Sequence, residues 1–261
     1  MNKLFFLLLF TINLFSGVKI TSVNTITMES GSQTVNSILF IDNSMMKLEE
    51  TSGNNKISII FDKKNDIMYM VNHSAKTYIS ISKSDMIEQS KQKKEQLKKL
   101  ESEINKMPKE QQAYYKDLLK KQKESLNPEN FKLKYSASKK NVKVEKWDCK
   151  HYKATHKKQL VKELWTAKYE DFGLTEADFG IIKEFAKFNQ IGASDLQKQM
   201  GFMSNQLDKK EYEGYPIKQI IYVNNKKIGQ TLVKSIDNLK FDEAIFKLPK
   251  DFKKQNPPIS K

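Results

Sequence analysis

Apolar residues come in short blocks from Thr34 to Ile81, and polar turn residues separate the blocks. Val35 to Ile41, Met45 to Leu48, Ile57 to Phe61, Ile67 to Val71 and Thr77 to Ile81 are rich in side chains that suit a pleated, half-buried surface. The gaps hold Asp42-Asn43, Ser52 to Asn55, Asp62 to Asp66 and Asn72-His73-Ser74, residues that reverse the chain. Met46 and Leu48 alternate with Lys47 and Glu49, so one face of this sheet is dry and the other wet. Five antiparallel strands are predicted. Before them, Lys19 to Glu29 spaces Ile20, Val23 and Ile26 among polar residues and predicts a first strand at the sheet edge.

The period changes at Lys83. From there to Leu126 the chain has no glycine and few β-branched residues, and Leu97, Leu100, Ile104 and Met107 recur at helical spacing. Asp85 and Glu88 stand like a capping pair, and Pro108 sits where a second helix starts, with Tyr115, Leu118, Leu119 and Gln122 on its stripe. An inserted helical hairpin over residues 83–126 is predicted. Strands return at Phe131 to Ala137, at Val142 to Tyr152 after a Ser138-to-Asn141 turn, and at Leu160 to Tyr169.

Thr175 and Asp178 then cap a helix whose apolar face is Phe179, Ile182, Phe185 and Ala186, extended by Phe188 and Ile191. Gly192-Ala193-Ser194 ends it and starts another, with the stripe Leu196, Met200 and Met203. These large, adaptable side chains suit either a lid that covers the sheet or the lining of an apolar cavity. A closing hairpin follows, Ile217 to Val223 and Ile228 to Ile236 around Asn224 to Lys227, and Phe241 to Phe246 makes a last turn. Lys253 to Lys261 is expected to be disordered.

The N-terminus sets an address. Met1 to Lys3 is a short positive segment, Leu4 to Phe15 an apolar run, and Ser16-Gly17 a pair of small residues, which together read as an export signal over residues 1–17. The apolar run is shorter than the roughly 20 residues a membrane helix needs, so no integral membrane protein is expected. The mature part, residues 18–252, is expected to form a single domain in the periplasm or outside the cell.

Formal net charge is +15, yet all 46 basic residues are lysine. Without a guanidinium, bidentate phosphate and base reading has no carrier, and no nucleic-acid partner is expected. The basic region is 131–168, with Lys139, Lys140, Lys143, Lys146, Lys150, Lys153, Lys157 and Lys158. Such a face is wet and discourages edge pairing, and it also suits an anionic envelope surface.

The single cysteine, Cys149, allows no internal disulfide and reads as a small buried hydrophobe. Cys149, His151 and His156 fall short of a metal-ligand set, and His73 lies in a turn with a solvated side chain. No phosphate loop, nucleophile elbow or metalloprotease helix is present. No catalytic residue, metal or cofactor is expected, and the chain reads as a non-enzyme.

The strand meander, the segment IIFDKKNDIMYMVNHSAKTYISI (Ile59 to Ile81), the helical insertion, WDCKHY (Trp147 to Tyr152), ELWTAKYEDFGL (Glu163 to Leu174) and FKLPKDF (Phe246 to Phe252) form a recognisable order. The chain resembles an uncharacterised exported bacterial domain family placed near the outer-membrane lipoprotein carrier and receptor superfamily. That resemblance implies an α+β fold that is mainly antiparallel β, a half-open barrel covered by helices, with a cavity suited to a lipid, an acyl chain or a lipoprotein. The lid side of the cavity is then expected at Phe179, Ile182, Phe185, Met200 and Met203, and its sheet side at Trp147 and Trp165. The carriers rely on an arginine to control the lid, and this chain has none, so no functional residue carries over. The alternative expectation is an interaction module that works through the helical hairpin and the basic sheet face.

Overall fold

The structure, a computed structural model, describes residues 14–28, 31–125, 133–191 and 212–256. The strand meander forms as predicted: β2 (Gly31–Ile41), β3 (Met45–Ser52), β4 (Asn55–Asp62), β5 (Ile67–Asn72) and β6 (Thr77–Ser82) pair in sequence through short turns. Ahead of them lies β1 (Leu14–Met28), and after the helical insertion come β7 (Lys134–Val144), β8 (Trp147–His156) and β9 (Gln159–Ala167). The chain closes with β10 (Tyr215–Val223), β11 (Lys226–Asp242) and β12 (Lys253–Gln255). Among the described residues these make one open, mostly antiparallel sheet ordered β12-β6-β5-β4-β3-β2-β1-β11-β10-β9-β8-β7, in which only β12 runs parallel to its neighbour.

The predicted edge strand is not at an edge. β1 lies mid-sheet between β2 and β11, and Leu14 to Gly17, assigned above to the export signal, pair with Asp242 to Leu239. The partner that encloses β1 comes from the far end of the chain, so no local pattern announces it. The tail is corrected too. Lys253–Gln255, expected to be disordered, adds to β6 by main-chain bonding and begins where Lys253 donates to the Lys76 carbonyl at 3.0 Å. Its side chains are charged or polar, which is why periodicity missed it.

Ser138 to Asn141 is also not the predicted turn. It is a register irregularity inside β7, and the chain reverses at Glu145-Lys146, with Glu145 at φ +52°. The closing hairpin turns on Asn224 and Asn225, both at positive φ, as asparagine readily permits.

The insertion is the predicted hairpin, α1 (Lys83–Lys106) and α2 (Lys109–Ser125). Its N-cap is Ser82 rather than a pair of helical acids. The Ser82 hydroxyl accepts from the Asp85 amide at 3.1 Å, and the Asp85 carboxylate accepts from the Ser82 amide at 2.8 Å. Leu97, Ile104 and Leu119 form a small buried cluster with Met107 against it, but Leu100, Tyr115 and Leu118, predicted on the same stripes, are exposed. Two narrow stripes meeting each other cannot also reach the sheet over their whole length.

Two 3-10 turns, Tyr169–Phe172 and Glu176–Phe179, lead into α3 (Gly180–Ile191). As predicted, Thr175 and Asp178 cap this segment: the Thr175 amide and hydroxyl donate to Asp178 Oδ2 at 2.7 and 2.8 Å. The predicted helix after Gly192, with Leu196, Met200 and Met203, lies outside the described residues.

Candidate functional site

Four of the expected cavity residues come together. Trp147, Phe179, Ile182 and Phe185 are buried in one apolar cluster between α3, the 3-10 turns and the sheet, and Trp165 packs against its margin. Phe185 and Phe188 both lean on Phe61, with ring centroids 5.4 and 5.2 Å apart. Phe179 makes tilted ring contacts with Tyr169 and Tyr215, and Trp147 meets Phe172 edge-on. In this structure α3 itself fills the space over this part of the sheet. Met200 and Met203 lie outside the described residues.

The sheet beneath the helix is graded along its strands. One cross-strand row is apolar: Ile236, Ile20, Leu39, Leu48 and Ile59 face one another on β11, β1, β2, β3 and β4. Along the same strands the apolar row gives way to polar side chains. Ser22 pairs with Ser37 and Ser37 with Glu50, while Asn24 pairs with Thr231 and Thr231 with Gln219.

Asn24, Ser37, Gln219 and Thr231 are 5, 3, 1 and 4 % exposed, so these polar groups are dry. Asn24 Nδ2 donates to the Ser37 hydroxyl at 2.6 Å, and that hydroxyl reaches Glu50 at 3.5 Å. Among the described residues, Asn24 Oδ1, Thr231 Oγ1 and both amide atoms of Gln219 find no hydrogen-bond partner. Buried polar atoms are nearly always paired, and leaving one bare costs about 1–3 kcal/mol.

A cavity of about 30 Å³ lies where the two zones meet. Ile20, Leu39, Leu48, Val233 and Tyr215 line it on the apolar side, and Ser22, Asn24, Ser37, Thr231 and Glu50 on the polar side. Among the described residues no lysine is ion-paired to Glu50, and burial pushes its carboxyl above the ordinary range against the Ser37 hydrogen bond. One strand position away, Glu49 behaves oppositely. Burial raises it, but the hydrogen bonds and charges of Lys47 and Lys56, at 2.7 and 2.9 Å, outweigh that and hold it low.

Sequence reading missed this polar zone because alternation sorts residues by face and not by position along a face. The signal is present all the same. Val18, Ile20, Ser22 and Asn24 share one parity, as do Leu39 with Ser37, Leu48 with Glu50, and Val233 with Thr231, each dry face turning polar.

Other candidate residues separate. Cys149 is fully buried, and its thiol is pushed up to about 11 by burial, so it is a packed hydrophobe. His151 stacks on Trp165 at 4.5 Å with its Nε2 3.2 Å from Glu163, and Tyr222 donates to the same carboxylate. Lys218 lies 4.7 Å from the Trp165 ring centre. Trp165 is thus held between two polar groups at the margin of the cluster.

His73 is not the solvated turn residue expected. Its Nε2 is 2.7 Å from the Ser58 hydroxyl, its ring packs on Phe252, and burial holds it below its usual pKa. Of the predicted basic surface, Lys139, Lys140, Lys143, Lys146, Lys153, Lys157 and Lys158 are exposed. Lys150 is half-buried and ion-paired to Glu213 at 3.4 Å. Lys162, from the same region, is 1 % exposed.

The family model "Domain of unknown function (DUF4412)" matches residues 97–252, more than half of the chain. No curated protein matches the sequence significantly. Among solved structures, an uncharacterized conserved protein from Thermus thermophilus is similar at 7% identity and a TM-score of 0.47. That alignment covers 93% of this chain and 91% of the other. PNGF-II aligns at 10% identity and a TM-score of 0.37, covering 92% of this chain, which spans only 31% of PNGF-II. No helix among the described residues is long and apolar enough to cross a membrane.

Proposed function

We propose a binding function for this chain, which belongs to the DUF4412 family: it is an exported, non-enzymatic protein that holds an amphiphile, the acyl chain of a lipid or lipoprotein, against the graded face of a half-barrel. The resemblance to the outer-membrane lipoprotein carriers suggests the same arrangement, a curved sheet with a helical lid. The observation that carries the reading is the passage, on one sheet face, from an apolar row packed in the same cluster as α3 to a dry polar row.

The cavity of about 30 Å³ is far smaller than an acyl chain, so the chain enters only by displacing α3. Phe179, Ile181, Ile182, Phe185 and Phe188 are all at least 96 % buried, and re-exposing five such side chains costs about 10 kcal/mol at roughly 2 each. The chain of tetradecanoate, about 13 apolar carbons, returns about 10 kcal/mol at roughly 0.8 per carbon. The two quantities nearly cancel, the condition under which a lid exchanges with its cargo. Hydrogen exchange of α3 with and without added tetradecanoate tests this. Faster exchange in α3 together with saturable binding is expected, and unchanged exchange with no binding would sink the reading.

A second reading rests on the hairpin. Tyr114, Tyr115 and Leu118 on α2 are 65, 41 and 43 % exposed, and Leu100 and Ile87 on α1 are 38 and 52 % exposed. An envelope adaptor that works through this hairpin and the basic strands loses its protein partner when residues 83–125 are replaced by a short linker. An acyl carrier keeps its ligand in the same variant.

A further inference from the structure

We infer that the polar end of the graded face is a subsite for a primary ammonium head, and that the amphiphile held by this chain therefore carries its positive charge at the head. The inference rests on the binding function proposed above and narrows its ligand class. It starts from what the cavity lacks. Glu50 is the one charged residue among the lining groups, no cation is paired to it among the described residues, and the other polar groups there are neutral.

Around it, Asn24 Oδ1 can only accept a hydrogen bond, and Thr231 Oγ1 can accept one. Both are buried, and neither has a hydrogen-bond partner among the described residues. Asn24 Nδ2 is already committed to Ser37. The site therefore asks for N–H or O–H donors and for positive charge. A phosphate or carboxylate head brings only acceptors and places a second negative charge beside Glu50.

An ammonium group brings three donors and one positive charge in about the volume of a water molecule, and a cavity of about 30 Å³ admits a group of that size. A trimethylated nitrogen has the charge but no donors, and it is too bulky. The apolar row of Ile20, Leu39 and Leu48 begins directly beside the polar groups. A head at Glu50 thus sends its chain toward the cluster under α3. The preference runs against the molecule's overall field: at a formal net charge of +15, unspecific attraction favours anionic amphiphiles.

Titration calorimetry below the micelle concentration, with tetradecylammonium, tetradecyltrimethylammonium, tetradecanoate and butylammonium, tests the subsite on wild type, Glu50→Gln and Thr231→Val. Tetradecylammonium is expected to bind at least about tenfold tighter than the other two long-chain probes, the range of one charge-assisted hydrogen bond. That advantage is expected to collapse in Glu50→Gln and to shrink in Thr231→Val, which keeps the side-chain shape should the first variant fold poorly. Equal affinity for all three long-chain heads, or an ammonium preference that survives Glu50→Gln, overturns the subsite while leaving the acyl-binding function standing. Butylammonium binding as tightly as its long homologue keeps the head site and overturns the amphiphile. No saturable binding of any of the three long-chain probes overturns the binding function itself, and the subsite with it.

Discussion

Replacing Phe185 with alanine tests whether α3 opens as a unit separate from the sheet. Phe185 is 2 % exposed and packs on Phe61, which also holds Phe188. Truncating a buried phenylalanine costs about 3–5 kcal/mol, part of it the cavity left behind. If α3 is a lid, that cost falls on its closing equilibrium. At about tenfold per 1.4 kcal/mol, amide exchange in α3 then accelerates by roughly 10² to 10⁴. Exchange mass spectrometry on wild type and Phe185→Ala reads this peptide by peptide. The amides of β1, β2 and β3 around Ile20, Leu39 and Leu48 should change by no more than a few fold, because their ladder bonds do not involve the helix. An equal acceleration in α3 and in these strands refutes the lid, since helix and sheet would then unfold as one cooperative unit. No acceleration anywhere refutes the packing argument.

Glu50→Gln carries a pH signature. A carboxyl held above its ordinary range binds more protons folded than unfolded, so its contribution to wild-type stability is lost as pH rises from about 4.5 through its folded value. In urea titrations the variant should be more stable than wild type at pH 7, with the difference vanishing below about pH 4.5; a constant difference contradicts the buried-carboxylate reading. Cys149, with its thiol raised to about 11 and its side chain fully buried, should resist a thiol reagent at pH 8 in the native protein and react fully in denaturant. Gly214→Ala should lower stability by about 1–3 kcal/mol in thermal or urea unfolding, since Gly214 sits at φ +83° and a β-carbon there collides with the Ala167 carbonyl. An unchanged midpoint refutes that constraint.

Most of the sheet is legible in the sequence because its strands meet their neighbours in order. β2 to β6 are joined by tight turns, and period-two alternation with Asn, Asp and Gly between blocks is a local signal. The helical insertion and the Thr175-Asp178 cap are local in the same sense. What fails is non-local. β1 reads as an edge because nothing near it shows that β11 returns to pair with it from the far end of the chain. β12 reads as a tail because main-chain bonds to β6, not apolar side chains, hold it.

The candidate site divides along the same line. Trp147, Phe179, Ile182 and Phe185 are apolar at regular spacing and are found together. Asn24, Ser37, Glu50 and Thr231 come from four strands, and each alone reads as an ordinary polar strand residue. Only the strand register brings them into adjacent rows.

Native mass spectrometry of the protein purified from its own cells, followed by organic extraction of what travels with it, tests acyl binding most directly. An amphiphile bound one to one and released on unfolding is the predicted result, its head carrying a primary amine if the polar subsite is as assigned. A bare protein mass, with no uptake of added tetradecanoate or tetradecylammonium, contradicts the binding function and leaves α3 as a permanent part of the core.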